Sequence, residues 1–197
     1  MSETAPRRRL PWWMRWLHTY ASMIAFGATL FFAVTGLTLN HADLFESGEP
    51  TVRALDGTLD AATLRGEPDK LVIAETLRRV HRLRGTVAEF AVEDDECFVL
   101  WKGPGYSADV TIERATGSYH LEESRRGVMA ILDDLHKGRD SGGTWSWVID
   151  VSAVMLTLLS VTGLWLLFYL KKRRRAGLVV GFVGGMLVTM CYVFGVR

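Results

Sequence analysis

Cysteine is scarce: two in 197 residues, Cys97 in the polar middle of the chain and Cys191 in an apolar stretch near its end. Two thiols so placed build no disulfide framework, although a single bridge stays open. No Cys-x-x-Cys-His occurs, which excludes covalent haem attachment of the c-type. Walker and Rossmann glycine motifs are absent, as are His-Glu-x-x-His and a serine nucleophile elbow. Nicotinamide or flavin binding by this chain is therefore not expected. Net charge is also lacking, at +1. The basic residues gather beside apolar runs, where they set topology, so nucleic acid is not an expected partner.

What the chain has is apolar length. Three runs, at about 16–39, 147–170 and 178–196, approach or exceed the roughly 20 residues that span a bilayer as a helix. Arg7, Arg8, Arg9 and Arg15 precede the first, and Lys171, Lys172, Arg173, Arg174 and Arg175 separate the second from the third. Lys and Arg are enriched on cytoplasmic flanks. The predicted topology is N-terminus in and C-terminus out, in the inner membrane, with about a hundred residues on the extracytoplasmic side. Trp12, Trp13, Trp16, Trp145 and Trp147 fall where spans enter or leave the lipid, as an aromatic belt would. The first run is too long for a cleaved signal, and no small-residue cleavage site follows it, so it is expected to stay as a helix. The expected segments are a cytoplasmic tail 1–15, spans 16–40, 144–170 and 177–196, an extracytoplasmic domain 41–143 and a basic loop 171–176.

Within that domain, 42–68 reads as loop with one short strand at 51–55. Leu71, Ala74, Leu77, Val80 and His81 recur at helical spacing and predict a helix over 69–83, ended at Gly85. Strands are predicted at 87–92, 97–102 and 108–114, separated by Asp94-Asp95 and Gly103-Pro104-Gly105, with Ala115-Thr116-Gly117 turning into 118–121. The expectation is one amphipathic helix on an antiparallel meander, a small α+β module. This order resembles the PepSY domain, carried here by Val110-Thr111-Ile112-Glu113-Arg114-Ala115-Thr116-Gly117. The resemblance implies a binding or inhibitory module without catalytic residues of its own.

Three of the five histidines lie at span ends. His18 is near the cytoplasmic end of the first run, His41 at its outer end, and His136 shortly before the second run on the same outer side. Ionisable residues at membrane depth are functional candidates, and a plain interfacial anchor is the alternative for each. His18 and His41 are 23 positions apart, roughly 34 Å of helix, too far to share a metal. His41 and His136 share a face of the membrane and are expected to ligate one haem b iron between adjacent helices, a common role for neutral imidazole. Its walls would be Phe31, Phe32, Leu37, Val151, Val154 and Leu158. His18 has no histidine partner at its depth. Another ligand type, a five-coordinate site or a second copy of the chain remain open for it. His81 reads as solvated or capping. Asp150, early in the second run, either orients a ligand, carries protons or stays wet. Asn40 and Asp134 are candidates for fixing a ligand ring. Gly177, Gly181 and Gly185 are spaced for close helix packing, within the chain or in a homodimer.

Trp16-Leu17-His18, the Val34-Thr35-Gly36-Leu37-Thr38-Leu39-Asn40-His41 run, Asp134-Leu135-His136-Lys137-Gly138-Arg139 and Val161-Thr162-Gly163-Leu164-Trp165 together resemble the PepSY-associated transmembrane family. The family inserts a PepSY domain between membrane helices. The resemblance implies a membrane α-helical protein of three transmembrane helices, with the extracytoplasmic α+β domain between helices 1 and 2. Family members include longer, haem-binding inner-membrane reductases of ferric siderophores, beside which this chain reads as a short version. Two functions are therefore expected in competition. One is a b-type haem protein, with His41, His136 and His18 as ligands, passing electrons to a ferric siderophore or periplasmic redox partner. The other is a membrane-anchored module that binds or regulates a partner protein.

Overall fold

The computed structural model describes residues 12–45 and 48–196. The predicted basic triplet Arg7, Arg8 and Arg9 lies outside them. Two compact units are formed, residues 30–150 and residues 12–29 with 151–196, and the two longest helices contribute to both.

In the first of these units lies a five-stranded antiparallel sheet in the order β1-β5-β4-β3-β2. Strands β2 (Thr86–Val92), β3 (Glu96–Gly103), β4 (Tyr106–Glu113) and β5 (Ser118–Arg125) form the expected meander. Along β3 and β4, Cys97, Val99, Trp101, Ala108, Val110 and Ile112 are fully buried, every second residue, as a pleat with one core face requires. Ile73, Ala74 and Leu77 of α3 (Lys70–His81) join the same core. Asp69 caps α3, its carboxylate accepting the amides of Leu71 and Val72. The helix ends earlier than Gly85, because Arg82 turns left-handed (φ 56°) and the Leu83 amide reaches back to the Arg78 carbonyl. Leu83 is thereby tucked into the core.

Strand β1 (Thr51–Thr58) is longer than the expected 51–55, pairing with β5 at all positions from Thr51↔Arg125 to Thr58↔Ser118. Asp56-Gly57 reads as a break, yet Gly57 fits the strand because the Tyr119 ring lies where a Cβ would stand. Strand β5 also outruns its expected 118–121. Its polar end is stabilised by buried Glu123, which accepts two bonds from the Arg125 guanidinium. Helix α2 (Ala42–Phe45) and helix α4 (Val128–Lys137) were not expected from the sequence pattern.

Helices α1 (Trp12–Asn40), α5 (Gly142–Tyr169) and α6 (Arg174–Gly195) are long and apolar enough to cross a membrane. Each begins before the apolar run it contains, since helix propagates through polar interfacial residues that a hydropathy count leaves out. Arg174 and Arg175 belong to α6 itself. On α6, Gly177 faces Leu167, while Gly181, Gly184 and Gly185 face open space. Both cysteines are free thiols, which closes the option of a bridge.

Candidate functional site

In the sheet-bearing unit, α4 lays its last turn against α1. The Nδ1 of His136 is 2.7 Å from Thr35 Oγ1. Its ring meets Phe32 edge-on at 5.5 Å and lies over Gly36, where a Cβ would come within 3.2 Å of Cε1. Phe32, Thr35 and Gly36 share one face of α1 by their three- and four-residue spacing, and Thr35 is only 3% exposed. Two further contacts hold α4. Trp145, expected as a belt residue, donates its indole N–H to the Leu135 carbonyl and stacks its edge on Phe31. Asp134 turns away from the imidazole, accepting the Gly105 amide at 2.9 Å and the Arg126 guanidinium at 2.5 Å. Asp134 therefore places the helix and not the ring.

The other unit contains a second arrangement of the same parts. His18 Nδ1 is 2.8 Å from Thr162 Oγ1 on α5. A Cβ at Gly163 would make an ordinary 3.5 Å contact with His18 Cε1. In both cases the seat is the second and third residue of Val-Thr-Gly-Leu, at 34–37 and at 161–164. His18 thus has a hydrogen-bond partner in Thr162. Thr35 and Thr162 went unread as functional residues, and the repeated tetrapeptide was the available signal. Neither His18 nor His136 has an Nε2 partner among the described residues.

His41 is placed differently. It follows α1 in an exposed turn, and its side chain makes no hydrogen bond or ion pair among the described residues. Asn40 and Asp150 are exposed. No group of three or more His, Cys, Asp or Glu converges as a metal centre among the described residues. The two remaining histidines serve the sheet. His81 Nε2 lies 2.7 Å from the Tyr119 hydroxyl, and burial, helped by Arg53, lowers its pKa. His120 Nδ1 lies 2.7 Å from Asp56 Oδ1, and that bond raises its pKa.

A family model described as PepSY_TM-like matches residues 12–196. The chain belongs to the PepSY_TM-like family. The matched span takes in the sheet, all three apolar helices and both histidine seats, and the protein is a membrane protein. No curated protein and no solved structure matches the chain.

Proposed function

We propose that the protein is a b-type haem protein of the bacterial inner membrane that passes electrons to an extracytoplasmic acceptor, with ferric siderophores as the acceptor class. One observation carries this reading. Two imidazoles at membrane-helix faces are each fastened through Nδ1, with Nε2 left free of protein partners. Haem would be held by one or two side chains, so a cluster of three ligands is not needed. Phe32 meets the His136 ring edge-on, Phe31 packs on Phe32 and Trp145 on Phe31, and these rings would supply apolar walls for such a group. Haem b supplies one-electron chemistry when bound. His136 and His18 would hold the group, and Thr35 and Thr162 fasten their rings. His41 is the further outer ligand candidate. With the basic residues 171–175 on the cytoplasmic side, the sheet domain would be extracytoplasmic.

The test is the absorption spectrum of the purified full-length protein with and without dithionite. The reading expects a Soret band that shifts on reduction, with haem content lowered separately by His136→Ala and by His18→Ala. His41→Ala decides whether that residue contributes. Colourless protein from haem-replete cells refutes the reading and leaves the sheet domain as a partner-binding module.

A further inference from the structure

We infer that Thr35 and Thr162 are positioning residues that lock His136 and His18 in the Nδ1–H tautomer, so that Nε2 is the bare nitrogen each ring offers. The inference deepens the haem reading, but it concerns the protein before any ligand binds.

The argument is a count of protons. A hydroxyl has one proton to donate and two lone pairs to accept with. The Thr35 hydroxyl lies 2.7 Å from the Phe31 carbonyl, one turn back. The Thr162 hydroxyl lies 2.7 Å from the Leu158 carbonyl and 3.2 Å from that of Leu159. This back-bond is the usual destination of a threonine proton on a helix. With the proton so committed, each Oγ1 accepts, and the proton in the 2.7 and 2.8 Å contacts to His136 and His18 comes from Nδ1. A neutral imidazole has one N–H, which leaves Nε2 with a lone pair. A bare Nδ1 would set two lone pairs face to face at hydrogen-bond distance.

The competing arrangement swings the threonine proton onto Nδ1 and puts the ring proton on Nε2. It abandons the back-bond at both seats at once. The first arrangement keeps it, and each hydroxyl then relays a bond from ring to carbonyl, each link polarising the next. Ligating histidines generally donate their other N–H to an acceptor, which fixes the tautomer and raises ligand basicity. Gly36 lets its ring come close, since a Cβ there would stand 3.2 Å from Cε1, whereas at Gly163 the 3.5 Å clearance is an ordinary contact.

The experiment is nitrogen NMR on haem-free, full-length protein carrying ¹⁵N-histidine in lipid nanodiscs at neutral pH. His18→Gln and His136→Gln assign the two ring signals. The expected result is a protonated Nδ1 and an unprotonated Nε2 at both. Thr35→Val keeps the shape, removes the acceptor and is expected to release only the His136 tautomer. Thr35→Ser is expected to restore it, and Thr162→Val to act only on His18. A protonated Nε2 with bare Nδ1 in the wild-type protein overturns the inference, and this measurement stands even if a valine variant fails to fold. Unchanged tautomers in folded valine variants overturn it equally. The readout needs no haem, so a colourless protein with both tautomers locked refutes the haem reading alone. A haem-loaded protein whose free form carries Nε2–H refutes this inference alone.

Discussion

Replacing Asp134 is expected to show what holds α4, and therefore His136, in place. The carboxylate is 3% exposed and its Oδ2 accepts two bonds, from the buried Gly105 amide at 2.9 Å and from the Arg126 guanidinium at 2.5 Å. The two bonds differ in worth. Arg126 is 43% exposed, so water screens the ion pair, and a pair of that kind contributes about 0.2–1 kcal/mol. The amide bond is buried and charge-assisted, which is worth about 1.5–3 kcal/mol, because its loss strands a buried donor. Gly105 has little room to adjust. Its φ is 64°, and Ile131 of α4 occupies the place of a side chain.

Asp134→Ala removes both bonds, for a total of about 2–4 kcal/mol. Asp134→Asn keeps an acceptor for the amide and gives up the charge, for about 1 kcal/mol. For a domain of roughly 100 residues, 1 kcal/mol moves the midpoint by about 4–8 °C. The alanine variant should then melt on the order of 10–20 °C lower and the asparagine variant about 5 °C lower. The assay is thermal unfolding in mild detergent, followed by the near-ultraviolet circular dichroism to which the fully buried Trp101 contributes. Arg126→Ala, which leaves the amide bond intact, should resemble the asparagine variant. Equal midpoints for alanine and asparagine would refute the weight given to the Gly105 amide. Two wild-type midpoints would refute the anchoring role altogether.

Opposite pH signatures are expected from His120 and His81. The bond to Asp56 raises the His120 pKa, so the folded state holds that proton more tightly. Its stabilisation is full below the unfolded value of about 6.5 and is lost as pH rises through the folded one. His120→Gln should flatten that loss in a series of melting curves, and an unchanged profile would refute the pairing. Burial lowers the His81 pKa, so protonation opposes folding, and stability falls as pH drops from about 6.5 toward the lower folded value. His81→Gln should flatten the acid side instead. Orientation is tested by a reporter fused after Arg197. Activity is expected only from a reporter that works outside the cytoplasm, and a cytoplasmic signal would mean that α1, α5 or α6 does not cross.

What the sequence disclosed depended on whether an element's pattern belongs to itself or to its neighbour. Strands β3 and β4 alternate because one face of each is wholly buried, and α3 is amphipathic because it covers that face. Their periodicity was therefore legible. Strand β1 is mostly exposed, with a glycine that suits the ring of Tyr119. Residues 51–55 read as a strand from the sequence; nothing in the composition of 56–58 specifies its continuation, and β5 supplies the reason for it. Helix α4 went unread although its residues are amphipathic and it closes on a left-handed Gly138; Gly127 gives its start no side-chain cap, and Gly105, Arg126, Trp145 and Thr35 hold it from outside.

The same distinction runs through the histidines. Hydropathy gives a residue's depth, which is why His18, His41 and His136 stood out at span ends. Depth does not give direction around a helix. His41 and His136 were paired because they share a membrane face, and in the structure His136 is seated on α1 while His41 stands in the exposed turn that follows it. Threonine was overlooked for a related reason. On a membrane helix its hydroxyl ordinarily bonds one turn back and needs no partner. At Thr35 and Thr162 the back-bond persists, and it is what turns the oxygen into an acceptor for a ring N–H. The repeated Val-Thr-Gly-Leu records that device twice in one chain, and at Gly36 the glycine also makes room for a close imidazole. A repeat whose threonine bonds the same kind of ring at both places is explained by the ring, and lipid-facing helix packing alone gives no reason for it.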